Sequence, residues 1–212
     1  TPKSDVFALD ATSGAVLWHY KPTLDAGFPP ASTQRQPGVA IGEGKVYSGQ
    51  VDGYLVALDQ RTGTVVWKTA AIPWKQGGHL ASAPLYYNGM IFQGTSGGDQ
   101  GSISNVMGAY DAVNGRPLWV WGVVPAPGQP GGNTWSKTDT HYGGGAFWQT
   151  TAIDTKLTFM IFCTGNPVPW NPLRPRAQLH RAPAPPTTPS PCPPLRPHPP
   201  PIPYHVRRPP PH

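Results

Sequence analysis

"ALDATSGAVLW" (residues 8–18), "ALDQRTGTVVW" (residues 57–67) and "AYDAVNGRPLW" (residues 109–119) align without a gap. Each reads Ala-x-Asp-x-x-x-Gly-x-x-x-Trp. They begin at 8, 57 and 109, so the period is 49 and then 52 residues. Self-similarity at roughly 40–50 residues, built from short strands, is the signature of four-stranded propeller blades. The residue types have separate tasks. The Asp carboxylate can accept backbone N–H groups of the turn that follows it. The Gly closes that turn before a strand ending in Trp. The small Ala leaves room for an indole, and the Trp is positioned to pack between neighbouring blades.

The segments between the repeats agree with an all-β chain. "KVYSGQVDGYLVAL" (residues 45–58) reads as two strands around Asp52-Gly53, and "LYYNGMIFQGT" (residues 85–95) as two strands around Asn88-Gly89. Asp-Gly and Asn-Gly favour type I′ turns, in which both central residues take φ > 0. No segment longer than a turn has a helical period with caps. "TAID" and "LTFMIFCTG" (residues 151–154 and 157–165) supply strands of a further blade, but no fourth complete motif follows. The expectation is an incomplete β-propeller of about three and a half blades over residues 1–170. Closed propellers have about four to eight blades, so this body would leave an open sheet edge.

Composition changes at residue 171. Of 30 Pro in 212 residues, 17 lie in residues 171–212, with six Arg, four His and no Lys, Asp, Glu or Gly. Residues 1–170 balance 10 Lys and Arg against 10 Asp and Glu, so the whole net charge of +6 belongs to the tail. Proline removes backbone donors and fixes φ, so such a segment is disordered or polyproline-like and buries no core. Three readings of it compete. It is a ligand or linker for aromatic grooves, a basic nucleic-acid arm, or an out-of-frame translation of GC-rich DNA. The arm lacks interleaved aromatics, and no nucleic-acid partner is expected. The abrupt joint loss of Gly, Asp, Glu and Lys favours the frameshift.

Other classes are set aside. Cys163 and Cys192 make neither a disulfide framework nor a metal site. His and Cys spacing fits no zinc centre, and no phosphate-cradling Gly-x-x-x-x-Gly-Lys-Ser/Thr loop occurs. No apolar run of roughly 18 residues indicates a membrane helix. No signal peptide is visible. The chain opens at Thr1 already inside the pattern, as expected of a sequence that has lost its beginning.

Three segments carry candidate chemistry. In "GTSGGDQG" (residues 94–101) glycines permit close backbone approach to a planar ligand, and Asp99 offers the carboxylate oxygen a hard cation prefers. In "GGGAFWQT" (residues 143–150) the face of Trp148 suits an aromatic ring system. In "CTGNPVPWN" (residues 163–171) Asn166 offers a neutral amide oxygen, a fair Ca²⁺ ligand. The competing readings are a solvated loop Asp, a core Trp and a turn Asn. His141, beside the glycine run, is read as a solvated or turn-bonding loop histidine.

The repeat and these segments resemble the quinoprotein alcohol dehydrogenases, eight-bladed propellers with tryptophan-docking motifs that bind pyrroloquinoline quinone (PQQ). The resemblance runs over residues 6–170. It implies that Ser96, Gly97 and Gly98 contact the quinone and that Trp148 forms the floor beneath it. It implies Asp99 and Asn166 as ligands of a Ca²⁺ or lanthanide ion. Trp148 and Asn166 stand 18 residues apart, the spacing expected in the family. The chain departs from the family in having Asp99 for Glu, Cys163 for Gly, Ala81 for Thr, and no cysteine pair in "PPASTQRQPGVA" (residues 29–40). Arg35 is out of register with the family's quinone-contacting arginine. The family's catalytic Asp lies beyond Asn166, where the tail has no carboxylate side chain, so no catalytic residue is assigned. The resemblance implies an alcohol substrate, a cytochrome c-type electron acceptor and a periplasmic or otherwise extracytoplasmic setting. The expectation for this chain is a truncated, inactive fragment. The alternative is a non-catalytic propeller scaffold that binds proteins at the cell envelope.

Overall fold

The computed structural model describes residues 4–28, 38–97, 103–125, 128–129 and 143–168. The tail of residues 171–212 lies outside them. Strands β1 (Val6–Leu9) and β2 (Val16–Tyr20) form an antiparallel hairpin. The next four strands, β3 (Val39–Gly42), β4 (Lys45–Gly49), β5 (Tyr54–Asp59) and β6 (Val65–Ala70), make a four-stranded sheet in sequence order. So do β7 (Leu85–Tyr87), β8 (Met90–Gly94), β9 (Val106–Asp111) and β10 (Pro117–Gly122). A further unit follows, with β11 (Gly143–Gly144) paired to β14 (Pro167–Val168), and β12 (Ala152–Asp154) paired to β13 (Phe159–Ile161). Among the described residues the one helical element is a 3₁₀ turn at Trp74–Gln76. Among the described residues two four-stranded blades are thus flanked by two smaller units, the all-β incomplete propeller that the repeat predicts.

Each repeat spans the last hairpin of its sheet. Asp59 Oδ1 accepts the N–H groups of Arg61 and Thr62, both at 2.9 Å. Asp10 Oδ1 accepts those of Thr12 and Ser13 at 2.9 and 2.8 Å, and Asp111 Oδ1 accepts that of Val113 at 2.8 Å. Hydroxyls join them, and the bond from Thr62 does most to hold the Asp59 carboxyl below the usual carboxylate range. Gly14, Gly63 and Gly115 close these turns at φ 72, 73 and 74°. Asp154 builds the same turn, accepting from Lys156 and Leu157 at 2.9 and 3.0 Å, with Thr158 at φ 57° in place of the glycine. Lacking both Gly and Trp, this fourth turn escapes the sequence repeat.

The tryptophans join one sheet to the next. Trp18 Nε1–H donates to the carbonyl of Gln60 at 3.0 Å, and Trp67 Nε1–H to that of Ala112 at 3.2 Å. Both acceptors follow the motif Asp of the next blade by one residue. The indoles lie on that blade's glycine. A Cβ at Gly63 would come within 2.6 Å of Trp18 Cε3, and one at Gly115 within 2.6 Å of Trp67 Cε3. Beneath these docks lie three apolar interfaces. Val6, Val46, Val56 and Leu58 fill the first. Tyr47, Leu55, Leu80, Ile91 and Tyr110 fill the second, and Met90, Phe92, Met107 and Phe147 the third.

One turn differs from expectation. Asn88 and Gly89 both take φ > 0, at 47 and 74°, as a type I′ turn requires. At Asp52-Gly53 only the glycine does, at φ 81°. There the link is a four-residue loop closed by Gln50 N–H to Tyr54 O at 2.7 Å. The reason is tertiary. Asp52 is fully buried, its Oδ2 takes the Asp25 N–H at 3.0 Å and sits 3.5 Å from Lys68 Nζ.

Two predictions follow from this packing. Gly14→Ala meets no neighbouring atom, so it costs only the left-handed backbone strain, about 1–2 kcal/mol. Gly115→Ala adds the collision with Trp67 and is expected to cost about 1–3 kcal/mol more in denaturant unfolding. Equal losses in the two variants would refute the docking role. Burial pushes the Tyr110 phenol up to about 12. Its folded value exceeds the unfolded one of roughly 10. Its contribution is therefore intact below about pH 10 and is lost as pH climbs towards 12. Stability measured across that window should fall less steeply in Tyr110→Phe.

Candidate functional site

Three separated segments meet where the third sheet joins the fourth unit. The first leaves β8 as Thr95-Ser96-Gly97. The second is the run that follows β11, Gly145 to Trp148. The third is the turn Gly165-Asn166 before β14. Gly98 and Asp99 lie outside the described residues, as do His141, Arg35, Trp170 and Cys192.

The glycine run reads as it folds. Gly144 and Gly145 take φ 82 and 68°, a left-handed pair open to few other residues. That bend delivers Phe147 into the core and Trp148 to the surface. Phe147 is fully buried and packs edge-on to Phe162 at 5.2 Å between ring centroids. A Cβ at Gly94 would stand 2.4 Å from Phe147 Cβ, so glycine there admits the ring. Trp148 is 50% exposed. The indole of Trp148 is thus half exposed beside a buried phenylalanine, with a face open to a flat ring.

Gly165 sets the edge of that platform. A Cβ there would lie 2.8 Å from Trp148 Nε1 and 3.4 Å from Cδ1. Its N–H donates to the carbonyl of Ala146 at 2.8 Å, and Gly145 N–H donates to that of Asn166 at 3.0 Å. Two backbone bonds therefore hold the Asn166 turn against the tryptophan run. Asn166 itself is exposed. Neighbouring Cys163 is an exposed free thiol.

Ser96 is fully buried, and its hydroxyl donates to the carbonyl of Phe147 at 2.8 Å, next to Trp148. Its backbone exchanges a pair of 2.8 Å bonds with His79. A ligand acceptor would have to compete for the one hydroxyl proton. Gly97 takes φ 110°, and a Cβ on it would come within 2.1 Å of the Gly77 carbonyl. Glycine is needed there because the protein's own backbone passes so close. Thr95 completes the seam, its carbonyl accepting Phe147 N–H at 3.0 Å. Neither His79 nor Thr95 stood out in the sequence. Their contributions run largely through main-chain groups, which every residue type possesses.

Of the expected ligands, Trp148, Ser96 and the Asn166 turn are brought together. The groups offered to a metal, an amide from Asn166 and a carboxylate from Asp99, are both oxygen donors and suit a hard cation. Among the described residues no three His, Cys, Asp or Glu side chains cluster as a metal centre. Of these two donors only Asn166 is among the described residues.

Comparison with known proteins places the chain in a family. The family described as "Glucose/ethanol/alcohol dehydrogenase, beta-propeller domain" matches residues 1–171. The quinoprotein alcohol dehydrogenase PedH of Pseudomonas putida is 34% identical over 194 residues, covering 84% of this chain and 32% of the relative. The structure of a europium-containing methanol dehydrogenase superposes with a TM-score of 0.69 at 28% identity, covering 79% of this chain and 33% of that one. This chain spans about a third of the length of these two proteins. BamB of Moraxella catarrhalis, with a TM-score of 0.53 and 22% identity over 77% of this chain and 42% of that one, shares the fold.

Gly165→Ala is a sharp test of the platform. Its Cβ would press on a surface indole that can swing away. Stability is therefore expected to change by no more than about 1 kcal/mol. Acrylamide quenching of Trp148 fluorescence, taken as the difference from Trp148→Phe, should change clearly. Unaltered quenching would show that the indole does not lie on Gly165.

Proposed function

Because the chain belongs to the glucose/ethanol/alcohol dehydrogenase β-propeller family, we propose that its blades form the floor and part of the metal site of a PQQ-dependent alcohol dehydrogenase. A quinoprotein alcohol dehydrogenase and a methanol dehydrogenase among the similar proteins support oxidoreductase chemistry on alcohols. The observation that carries the reading is the meeting of Trp148, the Gly165-Asn166 turn and the Ser96-Gly97 segment at one seam.

The roles of the residues follow from their chemistry. Trp148 presents one indole face to a flat ring system and excludes water from that side. Asn166 and Asp99 supply oxygen ligands to Ca²⁺ or a lanthanide. Gly97 and Gly98 would line the edge of the ring, and Ser96, buried on the Phe147 carbonyl, would contact the ligand only by releasing that bond. When bound, the metal and quinone supply a Lewis acid and a hydride-accepting carbonyl. No residue of this chain is assigned as the base that takes the alcohol proton. Electrons would pass to a cytochrome c-type acceptor in an extracytoplasmic compartment. Residues 171–212 are read as a segment outside the propeller. Their composition supports this, as does a family match that ends at residue 171.

Fold alone also accommodates a non-catalytic binding scaffold. A scaffold has no use for a half-exposed indole beside an exposed asparagine amide, which is why the enzyme reading is preferred. Titration with PQQ and Ca²⁺ or a lanthanide separates the two. Saturable quenching of tryptophan fluorescence, lost in Trp148→Ala and weakened in Asn166→Ala, is the expected result. Absence of quenching, or quenching unchanged in Trp148→Ala, favours the scaffold.

A further inference from the structure

We infer that Asn105 is the positioning residue that fixes the Ser96-Gly97 segment against the Trp148 platform, an inference that rests on the cofactor reading above. Asn105 is fully buried at the start of β9. Its Nδ2 group donates to the carbonyl of Gly97 at 2.6 Å and to that of Gly144 at 2.8 Å. Its Oδ1 accepts the hydroxyl of Thr95 at 3.2 Å, and that hydroxyl in turn accepts Val106 N–H at 2.8 Å. The main chain adds Asn105 N–H to Gly144 O at 3.3 Å and Val123 N–H to Asn105 O at 3.1 Å.

Both amide donors face carbonyls, so the orientation of the amide is dictated by its partners. The demand is for two donors and an acceptor on one short planar group. Asparagine meets it. Aspartate would aim lone pairs at two carbonyls, and leucine would take the amide donor from the Gly97 carbonyl and one bond each from the Gly144 carbonyl and the Thr95 hydroxyl. The geometry has a functional consequence. Gly97 leads directly into Gly98 and Asp99, while Gly144 opens the bend that ends at Trp148. One side chain therefore links the segment offering quinone contacts and a metal carboxylate to the segment offering the stacking face. The Ser96 bond to Phe147 is a second tie across the same seam. Asn105 does not itself need to touch the cofactor.

The control is Gln93, a fully buried amide in β8 whose Nε2 bonds Ser82 and Gly94 and does not reach across the seam. Both Asn105→Ala and Gln93→Ala should lower stability. The discriminating readout is the indole N–H resonance of Trp148 in protein labelled with ¹⁵N-tryptophan. The eight tryptophans give one resonance each, and Trp148→Phe identifies the one sought. In Asn105→Ala this resonance should shift or broaden, and in Gln93→Ala it should stay in place. The affinity for PQQ with Ca²⁺, read by fluorescence quenching, should fall about ten-fold or more in Asn105→Ala and less than about two-fold in Gln93→Ala. An unmoved Trp148 resonance in Asn105→Ala, or equal effects of the two variants, overturns the proposal. If the unaltered chain binds no quinone, the cofactor reading fails, while the resonance comparison still decides the positioning role. Should Asn105→Ala not fold, Asn105→Ser, which keeps one donor, is read in the same way.

Discussion

An indole resting on the glycine of the next blade is the contact from which the rest of this structure follows. Trp18 lies over Gly63 and Trp67 over Gly115, each with its N–H on the carbonyl just past the neighbour's motif Asp. A blade is a sheet with two apolar faces and cannot be stable alone. The dock sets how far one sheet stands from the next and at what register. It also explains why one residue must satisfy two demands. The glycine has to take a left-handed φ to close the Asp turn and has to lack a side chain to receive the ring.

The candidate site uses the same physics for another purpose. Here too glycines allow aromatic rings to approach backbone, with Gly94 admitting Phe147 and Gly165 bordering Trp148. The difference lies in which ring is buried. Phe147 fills the inter-sheet core, and the next residue along the chain, Trp148, stands half exposed. Adjacent side chains of the run that follows Gly144-Gly145 therefore face opposite sides of the seam. Main-chain bonds from Thr95, Ala146 and Asn166 then hold the three contributing segments in place. Two side chains, Ser96 and Asn105, add ties across the same seam.

Much of the fold was legible from residues 8–119. The Asp-nucleated turns and the left-handed glycines occur where the repeat puts them, and Trp18 and Trp67 dock as it expects. Two local features depart from expectation, one for a tertiary reason and one for a local one. The Asp52-Gly53 link is a longer loop, because Asp52 is drawn inward to Asp25 N–H and Lys68. The fourth Asp turn was overlooked, because Thr158 can take φ 57° where the motif has glycine. In the site, the glycine run and Trp148 could be read directly. Asn105 could not, since an isolated asparagine between two strands has no motif to mark it.

The sequence by itself determined the blade period, the turn chemistry and the three segments with the composition of a cofactor site. These are local properties, set by φ preferences and by bonds between residues two to four apart. Tertiary structure alone decided how the segments meet. Ser96 bonds a carbonyl 51 residues away and Asn105 one 39 residues away. Their partners are main-chain oxygens, which are the same for every residue type. A backbone acceptor leaves no trace in the sequence, and only the packing of one sheet on the next selects which carbonyl is within reach.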